Sequence, residues 1–305
     1  MEIKNVLILG LGAIGTIYAV KLNEIANISV LVDKSRIDRY KANGIIFNSK
    51  RYDFNLVLDT DSGFCADLII VATKSINFSQ TADMIKNYVG KNTIILSLLN
   101  GITSENVLAQ KYGQDKVLPA FFIGHSSMRI GNSVSFDGVG KVVFGEVDNS
   151  YSQKVQSLEK FFNSANLDYR ISKDITTELW QKLIVNIGVN QALAIYKKTF
   201  GALKDENNKV RLFAINLMSE AIEVANAIGI KNSDKFLQYT LDYIATVPSN
   251  CKPSMLQDIE HGKPTEIESF AGEILRLGKE NNIQTPYNTK VFNALTSYNN
   301  TVSMS

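Results

Sequence analysis

The pattern of hydrophobic and polar positions changes its period once along the chain. From Ile3 to Ile171 short β-branched-rich runs alternate with amphipathic helical stretches, and beyond Lys173 the pattern is helical to the end. The run Ile3–Leu9 leads into Gly10, a helical pattern follows through Ile25, and a second run, Ile28–Val32, stops at Asp33. Further runs at Leu68–Ala72, Thr93–Ser97 and Val117–Phe122 are separated by helical segments near 77–88 and 104–111. Continuous apolar runs separated by helices predict parallel strands buried on both faces. A β-hairpin turning about Asp137-Gly138 is expected over Ser133–Gly145 as an addition to the sheet, then a helix at 152–164 and a strand at Asp168–Ile171. The predicted fold is therefore α/β: an N-terminal Rossmann-type doubly wound sheet over 1–173, followed by an all-helical C-terminal domain over 174–305. Helices are expected there at Asn207–Ala227 and 234–246, in a short one with Ser254 as N-cap, and in a last long one carrying Glu266 at its start.

The segment Glu178–Ile195, ELWQKLIVNIGVNQALAI, is apolar on nearly every side of a helix, yet it contains Lys182, Asn186 and Asn190. Their spacing of four stacks them along one side. Burying unpaired polar groups costs about 1–3 kcal/mol each and an ammonium more, so such a stripe suggests a cleft for a polar ligand. It is equally compatible with a lysine that reaches the surface and asparagines that cap a neighbouring helix or loop.

Charge and composition narrow the function without naming it. With 32 Lys+Arg against 30 Asp+Glu the net charge is only +2, so neither nucleic acid nor a membrane surface is an expected partner. No run reaches transmembrane length and Met1–Gly10 lacks a signal-peptide core, so a cytoplasmic enzyme acting on a small molecule is expected. Cys65 and Cys251 stand far apart, which indicates neither a disulfide framework nor a metal site. His125 and His261 fall in an expected loop and helix end and need no special role.

Gly10-Leu11-Gly12-Ala13-Ile14-Gly15 reads GxGxxG between a strand and a helix. Here Gly10 permits the tight turn, Gly12 leaves room for a pyrophosphate against the backbone, and Gly15 allows close helix packing, so a nicotinamide dinucleotide is the expected cofactor. Asp33 suits the ribose hydroxyls of NAD, whereas Lys34 and Arg36 could bind the 2′-phosphate of NADP. Lys74 and Asn100 follow strand ends, where ligands of doubly wound sheets bind, although Asn100-Gly101 also reads as an ordinary turn.

Together GLGAIG at 10–15, LWQKLIVNIGVN at 179–190 and KPSMLQDIEHGKPTEIE at 252–268 resemble the ketopantoate reductase family over nearly the whole chain. The resemblance implies reduction of 2-dehydropantoate by NADPH or NADH, the reduced forms of NADP and NAD, in a cleft between the two domains, with Lys182 as proton donor. It further implies Asn186, Asn190 and Ser254 as substrate contacts, Glu266 as the active-site glutamate near cofactor and lysine, and Asn100 and Lys74 at the nicotinamide and substrate end. A homodimer through the helical domain would also follow the family's habit. Phe200-Gly201 stands where many members have asparagine before glycine, and Asp33 where NADPH-using members often have arginine. Both departures fit a D-2-hydroxy acid dehydrogenase acting with NADH on other branched or aromatic 2-oxo acids. A β-hydroxy acid dehydrogenase is a weaker rival, because no DAPVSGG-like motif occurs, and a non-catalytic redox sensor would need none of the five polar residues in the helical domain.

Overall fold

The computed structural model describes residues 1–74, 78–124 and 127–304. The chain forms two compact units, Met1–Asn100 with Ser104–Ile175, and Gly101–Thr103 with Thr176–Ser305.

The first unit opens with β1 (Asn5–Leu9), α1 (Ala13–Leu22), β2 (Asn27–Leu31) and α2 (Lys34–Asn43). It continues through β3 (Ile45–Phe47), β4 (Lys50–Tyr52), β5 (Asn55–Val57), β6 (Ala66–Val71), α3 (Phe78–Asp83), β7 (Val89–Ser97) and α4 (Ser104–Tyr112). Then follow β8 (Val117–Leu118), β9 (Ala120–Gly124), β10 (Ser127–Ile130), β11 (Ser133–Phe136), β12 (Gly140–Phe144), α5 (Gln153–Ser164) and β13 (Tyr169–Ile171). Six strands pair in parallel in the order β5-β2-β1-β6-β7-β8, the doubly wound arrangement. Alternate residues serve two cores: Leu68 and Ile70 join Val6, Ile8 and Val30 on one face, while Ile69 and Val71 join Leu7, Leu9 and Leu31 on the other. That double burial is why these strands read as unbroken apolar runs.

Two sequence expectations fail here. The run Val117–Phe122 is two strands, because Pro119 has no N–H for a ladder; β8 stays in the parallel sheet and β9 pairs with β12. Nor is there a hairpin about Asp137-Gly138. The antiparallel arms are β10 with β11 and β9 with β12, and they turn at Gly131-Asn132, where Gly131 supplies a φ of +61°. Residues 137–139 instead carry the chain from a four-stranded sheet, β10-β11-β3-β4, into a three-stranded one, β13-β12-β9.

The second unit is helical: α6 (Ile175–Val185), a π-helical turn over Asn186–Gln191, α7 (Ala192–Tyr196), a 3₁₀ turn at Phe200–Leu203, α8 (Lys209–Ala227), α9 (Phe236–Thr246) and α10 (Ser254–Glu260). The final stretch is a 3₁₀ turn at Ile267–Ser269, α11 (Ala271–Glu280) and α12 (Pro286–Met304), two helices where the sequence suggested one. Asn282 at φ +58° and Pro286 at the next helix start explain the break. Among the described residues no helix is long and apolar enough to cross a membrane.

Candidate active site

The glycine loop of the first unit is shaped by steric need at two of its glycines. Gly10 has φ +98°, and a Cβ there would lie 2.8 Å from the Ala72 carbonyl oxygen. At Gly15 a Cβ would sit 1.9 Å from the Gly10 carbonyl oxygen, so α1 packs directly on the turn. Gly12 differs. A Cβ there would meet only the Ala72 carbonyl oxygen at an ordinary 3.5 Å, so protein packing does not demand glycine, and the space suits the close approach of a ligand. Gly12 also holds the N-cap position of α1 without a side-chain cap, and the first turn carries no acid. Ala13 and Ile14 are half-buried and Leu11 is buried in the core beneath. Unclaimed N–H groups at a helix N-terminus suit a pyrophosphate, so this loop fits the dinucleotide.

Asp33 holds the N-cap position of α2. Its carboxylate accepts from the Ser35 hydroxyl and pairs with Arg36 Nε at 2.9 Å, at an exposed position, while Lys34 is exposed beside it. Lys74 is exposed three residues beyond β6, and Asn100 is half-buried beyond β7.

In the second unit the polar stripe takes a form that helical periodicity does not give. Lys182 lies in the last turn of α6 and is half-buried rather than buried. Asn186 and Asn190, each 8% exposed, stand in the π turn, and Asn190 Nδ2 donates to Asn186 Oδ1 at 2.9 Å. Asn190 Oδ1 accepts from the Ser254 hydroxyl and from the Met255 N–H, both at 3.3 Å. So one asparagine does cap a neighbouring helix. Ser254 is not the N-cap: it is the first residue of α10, Pro253 occupies the cap position without a side-chain acceptor, and Asn190 supplies one. Around this helix Lys252 pairs with Glu260 at 2.8 Å, and Gln257 Nε2 donates to the Lys252 carbonyl at 2.9 Å.

After these bonds the Asn186 amide still has a buried Nδ2 without a hydrogen-bond partner among the described residues. An orphaned buried donor costs about 1–3 kcal/mol, a deficit that a bound acceptor would remove. The structure thus brings Asn186, Asn190 and Ser254 into one bonded group, one turn beyond Lys182. Glu266 is half-buried at the cap position of the 3₁₀ turn Ile267–Ser269 rather than at the head of a long helix.

Phe200 is 5% exposed and packs edge-on against Tyr243 with ring centroids 6.2 Å apart, within the helical core. Burial first, then Tyr239 and Cys251, push the Tyr243 phenol above its usual range. His261 holds the C-cap position of α10, and His125 lies outside the described residues. No cluster of three His, Cys, Asp or Glu able to hold a metal occurs among the described residues. One residue that sequence reading passed over is Gln191, fully buried beside Asn190; its signal was a third amide in the apolar run.

The sequence profile "Ketopantoate reductase PanE/ApbA" matches residues 6–149, and "Ketopantoate reductase PanE/ApbA C terminal" matches 174–299. The chain belongs to the ketopantoate reductase family. Among family relatives, the 2-dehydropantoate 2-reductase of Pyrococcus horikoshii is 28% identical over 93% of this chain and 94% of its own length. In fold, the chain is similar to a ternary structure of D-mandelate dehydrogenase with NADH and anilino(oxo)acetate, at a TM-score of 0.87, 21% identity and coverage of 98% and 99%. It is likewise similar to a dimeric ketopantoate reductase from Staphylococcus aureus, at a TM-score of 0.79, 21% identity and coverage of 98% and 99%. Family and fold together make the protein an oxidoreductase that uses a nicotinamide cofactor.

Proposed function

We propose that the protein reduces the keto carbon of 2-dehydropantoate to D-pantoate, with Lys182 as general acid. The observation carrying this reading is the buried, unpartnered Asn186 Nδ2, joined through Asn190 to Ser254 and lying one turn beyond Lys182. The substrate offers a keto oxygen, a carboxylate and a hydroxyl. Asn186 and Asn190 suit the hydroxyl, since amides can donate and accept, and Ser254 at the start of α10 suits the carboxylate. Lys182 stabilises the negative charge developing on the keto oxygen and delivers the proton that completes the new hydroxyl. Glu266 acts with it as the carboxylate near cofactor and lysine. A bound nicotinamide supplies the hydride. On the first unit the N–H groups of Gly10–Gly15 hold the pyrophosphate, Asp33 the ribose, and Lys74 and Asn100 the nicotinamide and substrate end.

Of the two cofactors we assign NADH. The Asp33 carboxylate would repel a 2′-phosphate, and its exposed pairing with Arg36, of a kind worth about 0–1 kcal/mol, yields readily to ribose hydroxyls. Dimerisation rests on the S. aureus enzyme described as dimeric, and sedimentation equilibrium tests it.

Steady-state rates with 2-dehydropantoate, 2-oxoisocaproate and phenylglyoxylate, each with NADH and NADPH, decide the assignment. Highest kcat/KM with 2-dehydropantoate and NADH is expected. A branched or aromatic acid turning over faster makes the protein a D-2-hydroxy acid dehydrogenase, a reading that Phe200, packed in the core, does not itself support.

A further inference from the structure

A buried chain of amides runs behind the π turn. Glu220 of α8 accepts the N–H groups of Tyr287 and Asn288 at 2.7 and 2.9 Å and the Asn288 Nδ2 at 2.8 Å. Asn288 Nδ2 also donates to the Leu217 carbonyl at 3.1 Å, so both its protons are spent and its Oδ1 is left as an acceptor. Gln191 Nε2 donates to that Oδ1 at 3.3 Å and to the Ile187 carbonyl at 3.2 Å. Its Oε1 accepts the N–H of Ala271, the first residue of α11, at 3.0 Å. The carboxylate of Glu220 therefore dictates which way each amide in the chain points. Gln191 and Asn288 are both fully buried.

We infer that Gln191 is a positioning residue that locks the π turn bearing Asn186 and Asn190 to the start of α11. A π turn carries one residue more than the α-helix it interrupts, and it persists only where its environment satisfies the widened backbone. Gln191 does so from within the turn, through the Ile187 carbonyl. Should the turn relax to α geometry, the helix that follows would rotate by one residue, about 100° at 3.6 residues per turn, relative to the helix before it. Asn190, near the end of the turn, would be swung away from the start of α10 even though it would stay four residues above Asn186. Ala271 ties the same side chain to the segment that follows Glu266, because the cap position of α11 is Phe270, which offers no side-chain acceptor. Gln191 touches no reacting atom in this account. Its effect on turnover rests on the reading of Asn186 and Asn190 as substrate contacts.

The test compares Gln191→Met and Gln191→Glu with the parent by KM and kcat for 2-dehydropantoate, cofactor Kd, and amide hydrogen exchange. Gln191→Met is expected to raise KM about tenfold, the scale of one buried hydrogen bond, while cofactor Kd stays within about twofold. Gln191→Glu keeps the acceptor for Ala271 but lacks the amide donors, so it raises KM less; it also serves if the methionine variant does not fold. A folded variant with lowered Tm but parental KM overturns the inference. If the parent does not turn over 2-dehydropantoate, the functional reading falls instead, and hydrogen exchange decides the inference alone. Faster exchange confined to residues 186–191 and Ala271 supports it, and unchanged exchange there refutes it.

Discussion

Asn190 accepts the backbone N–H of Met255 at 3.3 Å, so a side chain on the interrupted helix caps the start of another. Its Nδ2 meanwhile donates to Asn186, so one residue has a capping task and, on the proposed function, a part in substrate binding as well. Asn190→Ala should lower the unfolding free energy by about 1 kcal/mol, the usual cost of a lost cap, and raise KM. Asn190→Asp keeps an acceptor for Met255 and should keep most of that stability. It draws the Asn186 amide round to donate to it, however, so KM should still rise. Urea titration beside steady-state kinetics separates the two tasks; equal KM for Asn190→Asp and parent would remove Asn186 from the binding site.

Lys182→Ala should lower kcat by about 10²–10⁴-fold, the range for a general acid, without altering cofactor Kd. Half-burial of this lysine makes the truncation tolerable to the fold. Turnover at the parental rate with intact cofactor binding would show that the proton comes from elsewhere.

The glycine loop yields a contrast. Gly15→Ala forces a Cβ to within 1.9 Å of a backbone oxygen and should cost several degrees of Tm or prevent folding. For Gly12→Ala the nearest protein atom is at 3.5 Å, so Tm should hold while cofactor affinity falls by about tenfold or more. Thermal scans with and without cofactor read both. If Gly12→Ala binds as the parent does, the loop does not hold the pyrophosphate.

Tyr88 sets an alkaline limit. Its hydroxyl donates to the Leu58 carbonyl at 2.5 Å, and burial, reinforced by Asp61 and Asp59, pushes the phenol up to about 12 from an ordinary 10. Between those values the unfolded chain loses a proton that the folded one keeps, so the stability is fully present below pH 10 and drains away as pH rises toward 12. Denaturant midpoints measured from pH 9 to 11.5 should fall less steeply for Tyr88→Phe than for the parent; parallel curves would contradict the assignment.

Much of this was legible in the residues. The parallel sheet announced itself because its strands are buried on both faces, and GLGAIG between β1 and α1 marks a backbone that only glycine can adopt at Gly10. The stripe of Lys182, Asn186 and Asn190 was visible because polar side chains interrupt an apolar run. Less legible was the route of β9 to β12. Both Asp137-Gly138 and Gly131-Asn132 carry turn chemistry, and strand pairing beyond the turn chooses between them.

By itself, the sequence determined the doubly wound sheet, the helical remainder, the glycine turn between β1 and α1 and the family, since each follows from local period, glycine sterics or a contiguous motif. Tertiary structure alone decided that the central helix widens into a π turn. It also decided that Asn190 caps α10 in place of Pro253, that Gln191 secures Ala271, and that Asn186 keeps a buried donor in reserve. The physical reason is distance along the chain. Asn190 and Met255 are 65 residues apart, Gln191 and Asn288 97 apart, and which buried amide finds which partner is settled only when separate helices pack.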